Sequence, residues 1–299
     1  MAESGRLAIR NTNGGSNRPP RLRLSLNGGN LHDMPADMLH PTGSPDDICA
    51  AVKAAGFEAM QGGDDAACKR IGMGTTGGGR IDNLQDADRN CREGKDKGYD
   101  CVTLHVGTSF ESDDEAFALF DSILNACTKH NYPLYVETHR ATITQDIWRT
   151  VQFVKKFPGL RFNGDFSHWY TGHEMLYGPL EKKFEFIAPV FDRVRFIHGR
   201  IGNTGCIQVD IGDGTNRPYV DHFKEMWTRS FVGFLRDAKP GDFLDFTPEL
   251  LFPSINYART FKNAAGKEVE EGNRWEQAIL YTKIARECFA EAQRRVGNS

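Results

Sequence analysis

Four short stretches in the second half of the chain run from apolar residues into groups that can hold a metal or move a proton. LYVETH ends with Glu137 and His139, FNGDFSH with Asp165 and His168, RFIHGR with His198 and Arg200, and FLDFTPEL with Asp245 and Glu249. One acidic residue after an apolar run says little. A carboxylate or imidazole at the end of four successive runs is a pattern, because the strand ends of a parallel barrel converge on one face. Glu137, Asp165, His198 and Glu249 would form a mixed oxygen and nitrogen donor set there. Such a set suits one divalent ion, Mn ahead of Co, Mg or Zn, with positions left open for substrate. Taken singly, Glu137 reads as well as a solvated strand end and His198 as a core histidine bonded to backbone. Taken together the bland explanation weakens, because buried carboxylates on converging strands need a counter-charge.

The elements that must position these groups are legible as an alternation of short apolar runs and longer amphipathic segments. That alternation marks a parallel sheet with crossover helices. Eight strands are expected: Leu22–Leu26, Phe57–Gln61, a weak one near Gly77–Ile81, Cys101–Val106, Leu134–Thr138, Arg161–Phe166, Arg195–His198 and Phe243–Phe246. Ser44 or Asp46 can cap a helix reaching Ala55 and closed by Gly56. Asp113 can cap EAFALFDSILNACTKH, and Thr144 opens a helix running to Val154. Leu180–Phe191, His222–Leu235 and Trp275–Ala292 carry apolar residues at helical spacing. The fold class is therefore α/β, a (β/α)8 TIM barrel in a single domain over residues 22–299.

Three segments fit this scheme less well. Residues 1–21, rich in Gly, Asn, Ser, Arg and Pro, read as a flexible arm, with order expected from Leu22. Residues 62–99 are Gly- and Asp-rich, and the run GMGTTGGGR within them lacks a phosphate-loop spacing and reads as a flexible loop. Gly199–Tyr219 is a long loop, expected to cover the metal face, to turn Arg200 into the pocket and to close through Gly202, Gly205, Gly212 and Gly214.

The chain has 299 residues, 39% hydrophobic and 26% charged, enough for a sizeable core in one barrel. With 37 Lys and Arg against 40 Asp and Glu, the net charge is -3, which does not match the basic footprint of a nucleic-acid binder. The seven cysteines, Cys49, Cys68, Cys91, Cys101, Cys127, Cys206 and Cys288, contain no CxxC pair and read as reduced, mostly buried thiols. No apolar run approaches the roughly 20 residues that span a bilayer, and the first residues lack the apolar core of a signal peptide. The expected location is cytoplasmic. The expected partner is a small carbohydrate substrate, with no nucleic acid and no membrane, and self-association is left open.

Across Leu22 to Ala292 the motifs YVETHR, GDFSHW, FIHGRIG and FTPELL resemble, in that order, the xylose isomerase-like barrel superfamily of sugar phosphate isomerases and epimerases. That resemblance implies one metal shared by Glu137, Asp165, His198 and Glu249. It also implies that Glu137 and Glu249 flank the substrate as the proton-transfer pair of an enediolate mechanism. His168, in the Asp-x-x-His pattern from Asp165, is implied as a substrate contact, with Arg200 beside it. His105 and His139 are read as further substrate contacts, as supports for the metal ligands, or as structural hydrogen-bond posts. The superfamily also contains endonuclease IV, whose three-metal pattern is not repeated: the second strand ends MQGGDD without a His, and GRIGNTGCIQVDIGDG lacks Asp-x-His. Gln61 stands where many members carry Glu, and Arg200 follows His198 by two residues rather than several. The resulting expectation is a metal-dependent isomerase or epimerase of a sugar or keto-sugar. The alternatives are a lyase acting on a 3-keto-glycoside, a non-catalytic binding barrel and, last, a nuclease.

Overall fold

A computed structural model describes residues 8–297 of the chain. Eight parallel strands close on themselves: β2 (Arg21–Asn27), β3 (Ala59–Gln61), β4 (Gly74–Ile81), β5 (Val102–Val106), β6 (Leu134–Glu137), β7 (Phe162–Asn163), β8 (Val194–Gly199) and β9 (Asp242–Pro248). Each pairs with the next in sequence, and β9 pairs with both β8 and β2, so no edge is left among them. This is the (β/α)8 barrel expected from the alternating pattern, with seven strands where the apolar runs lie and the glycine-rich β4 where only a weak strand was expected.

Helices α1 (Pro45–Ala54), α2 (Asp65–Ile71), α3 (Asp86–Lys97), α4 (Asp113–His130), α5 (Ile147–Lys156), α6 (Phe166–Gly172), α7 (Leu180–Phe191), α8 (Pro218–Asp237) and α9 (Arg274–Gly297) surround it. Their starts follow local chemistry. Ser44 caps α1 in a reciprocal box with Asp47, and Ser112 caps α4 with Glu115. The stop of α4 is Asn131 in the left-handed region, one of the few non-glycine residues that tolerate it. None of the helices among the described residues is long and apolar enough to cross a membrane.

Three expectations are corrected. First, the chain is placed well before Leu22. Ile9 and Thr12 are buried, and β1 (Thr12–Asn13) pairs antiparallel with the start of β9. The Thr12 hydroxyl meets the Tyr135 hydroxyl at 2.8 Å, and Asn13 donates to Asp242 at 2.6 Å. This segment closes the floor of the barrel, opposite the strand ends that carry Glu137 and His198; residues 1–7 of the expected arm lie outside the described residues. Second, GMGTTGGGR is not a loop: residues 74–80 belong to β4, bonded to β3 and to β5. Between two strands, a backbone without side chains still has every hydrogen-bond partner it needs. A Cβ at Gly77 would strike the Tyr99 ring at 2.5 Å, so the helix side of β4 is glycine for lack of room. Third, the strand ending FNGDF stops at Asn163, because Asp165 caps α6 through Ser167 and Phe166 is already helical.

Asp245, one of the strand-end carboxylates, belongs to the barrel interior. It takes two hydrogen bonds from Arg23, at 2.6 and 2.9 Å, and one from Ser25 at 2.7 Å. Both members of the pair are buried, and Asp100 is the second carboxylate on Arg23. Asp245→Asn keeps the shape but leaves the guanidinium with one partner. It should destabilise the protein by about 3–5 kcal/mol, the cost of breaking a buried pair, measured by urea unfolding; a loss under about 1 kcal/mol would assign the barrel's stability elsewhere.

Candidate metal centre

The C-terminal mouth of the barrel gathers the polar residues that its strands deliver. Glu137 ends β6, Asp165 follows β7, His198 lies in β8, and Glu249 follows β9. Each offers one ligand atom, and the four atoms lie within 4.8 Å of one another. His198 Nδ1 is 3.3 Å from Glu137 Oε2 and 3.4 Å from Glu249 Oε2. Ligands about 2.1 Å from a tetrahedral ion are about 3.4 Å apart, so these spacings fit a shared cation. The chemistry of the donor set agrees. Glu137, Asp165 and Glu249 place three negative charges against one buried guanidinium, Arg200, leaving two charges for a divalent ion to balance.

Neutral amides orient the set. Gln61 donates through Nε2 to Gly77 O at 3.1 Å, and a carbonyl can only accept, so the side-chain Oε1 faces His198 Nε2 at 2.7 Å. His198 therefore carries a proton on Nε2. Asn163 Oδ1 accepts from the His198 backbone N–H at 3.0 Å, which turns its Nδ2 toward Glu137 Oε2 and His198 Nδ1, both at 3.0 Å. Burial lowers the His198 pKa, but Glu249 and Glu137 reverse this and push it up to about 9. The carboxylates thus favour a proton on Nδ1 while the Asn163 amide opposes one. The amide's orientation is set by a backbone donor, so we read Nδ1 as the acceptor, the form that ligates. Asn27 completes the support, donating to Glu249 Oε1 at 3.0 Å.

Arg200 and His168 sit on the closed side of the cluster. The Arg200 guanidinium is bonded to Asp165, lies 3.2 Å from Glu249 Oε2 and 3.1 Å from His168 Nε2, and donates to Ser167 at 3.0 Å. Tyr257 covers it, with the ring centroid 4.6 Å from the guanidinium carbon. Burial would raise the Asp165 pKa, but Arg200 and His168 outweigh it and hold the carboxyl well below its ordinary range. Burial likewise opposes ionisation of Glu137, yet His198 and His105 keep it far below the usual value, whereas burial prevails at Glu249 and raises it. The expected turn of Arg200 into an open pocket is not what the structure has: the side chain is buried and its partners are the carboxylates of the centre.

The open side is a cavity of ≈ 450 Å³ whose walls include Asn27, Gln61, Gly78, Thr103, His105 and Glu137. His105 Nε2 is 3.4 Å from Glu137 Oε1. His139 stacks between His105 and His168, with ring centroids 4.1 and 3.7 Å away. Burial pushes the His139 pKa down to about 3, leaving the ring neutral. The loop after β8 is built rather than free to close. Ile201, Ile207, Val209 and Ile211 are buried, and Gln208 bonds both the N–H and the carbonyl of Leu251. Gly202 serves a tight turn there, since a Cβ would lie 2.6 Å from two carbonyl oxygens.

Gln61, Asn163, Asn27 and Tyr257 were not singled out as site residues from sequence, although Gln61, Asn163 and Asn27 also stand at the ends of apolar runs. Amides at such positions are common, and only the closed barrel shows which ones face a ligand.

No protein-family model matches the chain, and no curated protein sequence matches it. Among solved structures, endonuclease IV from Thermus thermophilus is similar at 13% identity, over 90% of this chain and 99% of that one, with a TM-score of 0.49. A putative uncharacterized protein from Parabacteroides distasonis is similar at 11% identity, over 89% and 99%, with a TM-score of 0.48. Likeness at this level carries no chemistry across, and the fold rests on the closed sheet itself.

If Gln61 sets the His198 tautomer, Gln61→Met should weaken Mn2+ binding by about 10–100-fold, as loss of an outer partner does. Isothermal titration reads this directly. Unchanged affinity would remove Gln61 from the centre.

Proposed function

We propose that this protein is a divalent-metal-dependent isomerase or epimerase of a sugar or keto-sugar, working through an enediolate. The observation that carries the reading is the convergence of Glu137, Asp165, His198 and Glu249 within 4.8 Å, beside a cavity walled largely by hydrogen-bonding groups. A cavity of ≈ 450 Å³ is of the size that holds small ligands, and Asn27, Gln61, Thr103 and His105 make its wall polar. When bound, a divalent ion would polarise a substrate carbonyl and stabilise the negative charge that develops as the neighbouring C–H proton leaves.

The chain's own residues do the rest. Glu137 and Glu249 both line the cavity and approach the same point from β6 and from the end of β9. One takes the proton from carbon and the other returns one, which changes the configuration at that carbon or moves the carbonyl. Asn163 holds Glu137 Oε2 and Asn27 holds Glu249 Oε1, so each carboxylate keeps its second oxygen for other partners. Arg200 keeps Asp165 ionised and braces Glu249 from the closed side.

Glu137→Gln and Glu249→Gln retain size but cannot carry the proton. Each should lower turnover by about 10²–10⁴-fold, the range for general acid–base groups. Solvent deuterium incorporation at the substrate carbon, with metal content matched, is the decisive measurement in a screen of ketoses, keto-glycosides and sugar phosphates. Undiminished exchange in both variants would rule out the two-glutamate pair, and release of a glycosyl leaving group in place of exchange would make the enzyme a lyase.

Gly78 tests the cavity itself. A Cβ built there meets nothing within 4 Å, so a side chain is accepted by the fold and grows into the space the substrate needs. Gly78→Val should leave thermal stability unchanged while overpacking costs substrate binding about 1–3 kcal/mol, a rise in KM of roughly tenfold. An unaltered KM would place the substrate elsewhere.

A further inference from the structure

We infer that the substrate is a keto-glycoside with an aromatic aglycone, and that Phe110, with Leu84 on the neighbouring loop, receives that aglycone at the lip of the cavity. The inference rests on the reading of the cavity as a sugar site and names the class of sugar derivative it takes. Among the described residues, eight large apolar side chains are exposed. Seven lie on the mouth side, between a strand's C-terminal end and the first turn of the helix that runs back from it; the exception, Phe186, is in α7. Exposed apolar residues scattered singly over a surface say nothing. Their confinement to the face that carries the metal centre marks that face as the one that meets an apolar group.

Leu84 follows β4 and Phe110 follows β5, the paired strands whose Gly78, Arg80, Thr103 and His105 wall the cavity on its open side. Arg80 clips the two loops together, donating to Asp82 at 2.9 Å and to the carbonyl of Gly107 at 3.0 Å. Phe110 is 93% exposed, yet the turn that carries it is fixed. Thr108 donates to Glu111 through its N–H at 2.8 Å and its hydroxyl at 2.9 Å, and Arg149 donates to the Glu111 carbonyl at 2.7 Å. Ser109, next to Phe110, is held at φ 75°, in the left-handed region that strains a residue other than glycine. A strained, well-bonded turn that keeps a phenyl ring in water serves no packing in the barrel. A ring on the ligand gives it a use, because aromatic pairs attract beyond the area they bury.

A polar cavity with an apolar lip calls for a ligand of two parts. A glycoside joins a polyhydroxylated ring to a second group through one oxygen, so the ring can reach Glu137 and Glu249 while the aglycone stays outside against Phe110. The anomeric carbon of a glycoside is an acetal, so the carbonyl that an enediolate requires must be on another ring carbon, which makes the substrate a keto-glycoside. A free ketose would leave Phe110 in water. A second copy of the chain seated on this face would cover the same side chains but seal the cavity from its substrate.

Steady-state kinetics of the whole chain tests this, with each keto-sugar of the exchange screen supplied as its methyl and its 4-nitrophenyl glycoside. The wild type should show a KM about tenfold lower for the 4-nitrophenyl form, the scale of one aromatic contact. Phe110→Ala should bring the ratio of the two KM values to about one, and Phe110→Tyr should keep it. Thermal unfolding of both variants should match the wild type, because the side chain is exposed. Equal KM values for the two glycosides in the wild type would overturn the inference, as would a preference that survives Phe110→Ala combined with Leu84→Ala. Sedimentation is the second readout: a dimer that Phe110→Asp dissociates, with the KM ratio unmoved, would assign the lip to a second copy and overturn the inference. Turnover of free ketoses alone would overturn it and leave the proposed function standing, whereas no turnover of any sugar or glycoside would defeat both.

Discussion

Three carboxylates, Glu137 and Asp165 buried and Glu249 half-buried, with ligand atoms within 4.8 Å of one another, are the constraint around which the rest of this protein is arranged. Two like charges about 4 Å apart repel by roughly 4 kcal/mol at an effective dielectric of 20, and Glu137, Asp165 and Glu249 form three such pairs. Burial removes the water that would screen them. Arg200 answers one charge from the closed side, and Asn163, Asn27 and Ser167 donate hydrogen bonds to the remaining lone pairs. Two negative charges are still left over, facing His198 Nδ1 and the cavity.

A parallel barrel can hold such a cluster because its strands fix the backbone from which each ligand hangs. The ligands come from β6, β8 and the chain just beyond β7 and β9, and each strand is bonded on both sides. Supports arrive from other strands: Gln61 on β3 reaches across the barrel to His198 on β8, and Asn27 on β2 reaches Glu249 at the end of the neighbouring β9. The cavity opens on the β2–β5 side, where β4 carries glycine at 77–79 and adds no bulk. Arg200, His168 and Tyr257 close the opposite side. One wall is therefore built for charge and the other for space.

The Gly199–Tyr219 stretch shows how a long connection without regular structure remains ordered. Its apolar residues are buried, and Gln208, Asp210 and Ile211 are tied to Leu251, Glu271 and Gln277. It fastens the end of β9, and with it Glu249, to α9 instead of acting as a free flap. The floor is secured in a comparable way by β1, which joins Thr12 to Tyr135 and Asn13 to Asp242.

The sequence alone determined the barrel and the four ligand candidates. Apolar runs of strand length in alternation with helical periodicity admit few folds, and Glu137, Asp165, His198 and Glu249 stand at the ends of such runs, where a parallel barrel must bring them to one face. It located Leu180–Phe191 to the residue, because both ends of that helix are marked by a change of pattern. It chose Glu249 over Asp245 for the donor set but gave Asp245 no partner; only pairing across β2 and β9 put Arg23 beside it. The glycines of β4 carried only a weak strand signal, near Gly77–Ile81, because their pairing is a property of the backbones on either side. The tasks of Arg200, Gln61 and Asn163 were likewise decided by tertiary structure. A side chain's partners in a barrel come from strands far apart in the chain, Gln61 and His198 being 137 residues apart, and no local pattern records which amide meets which imidazole.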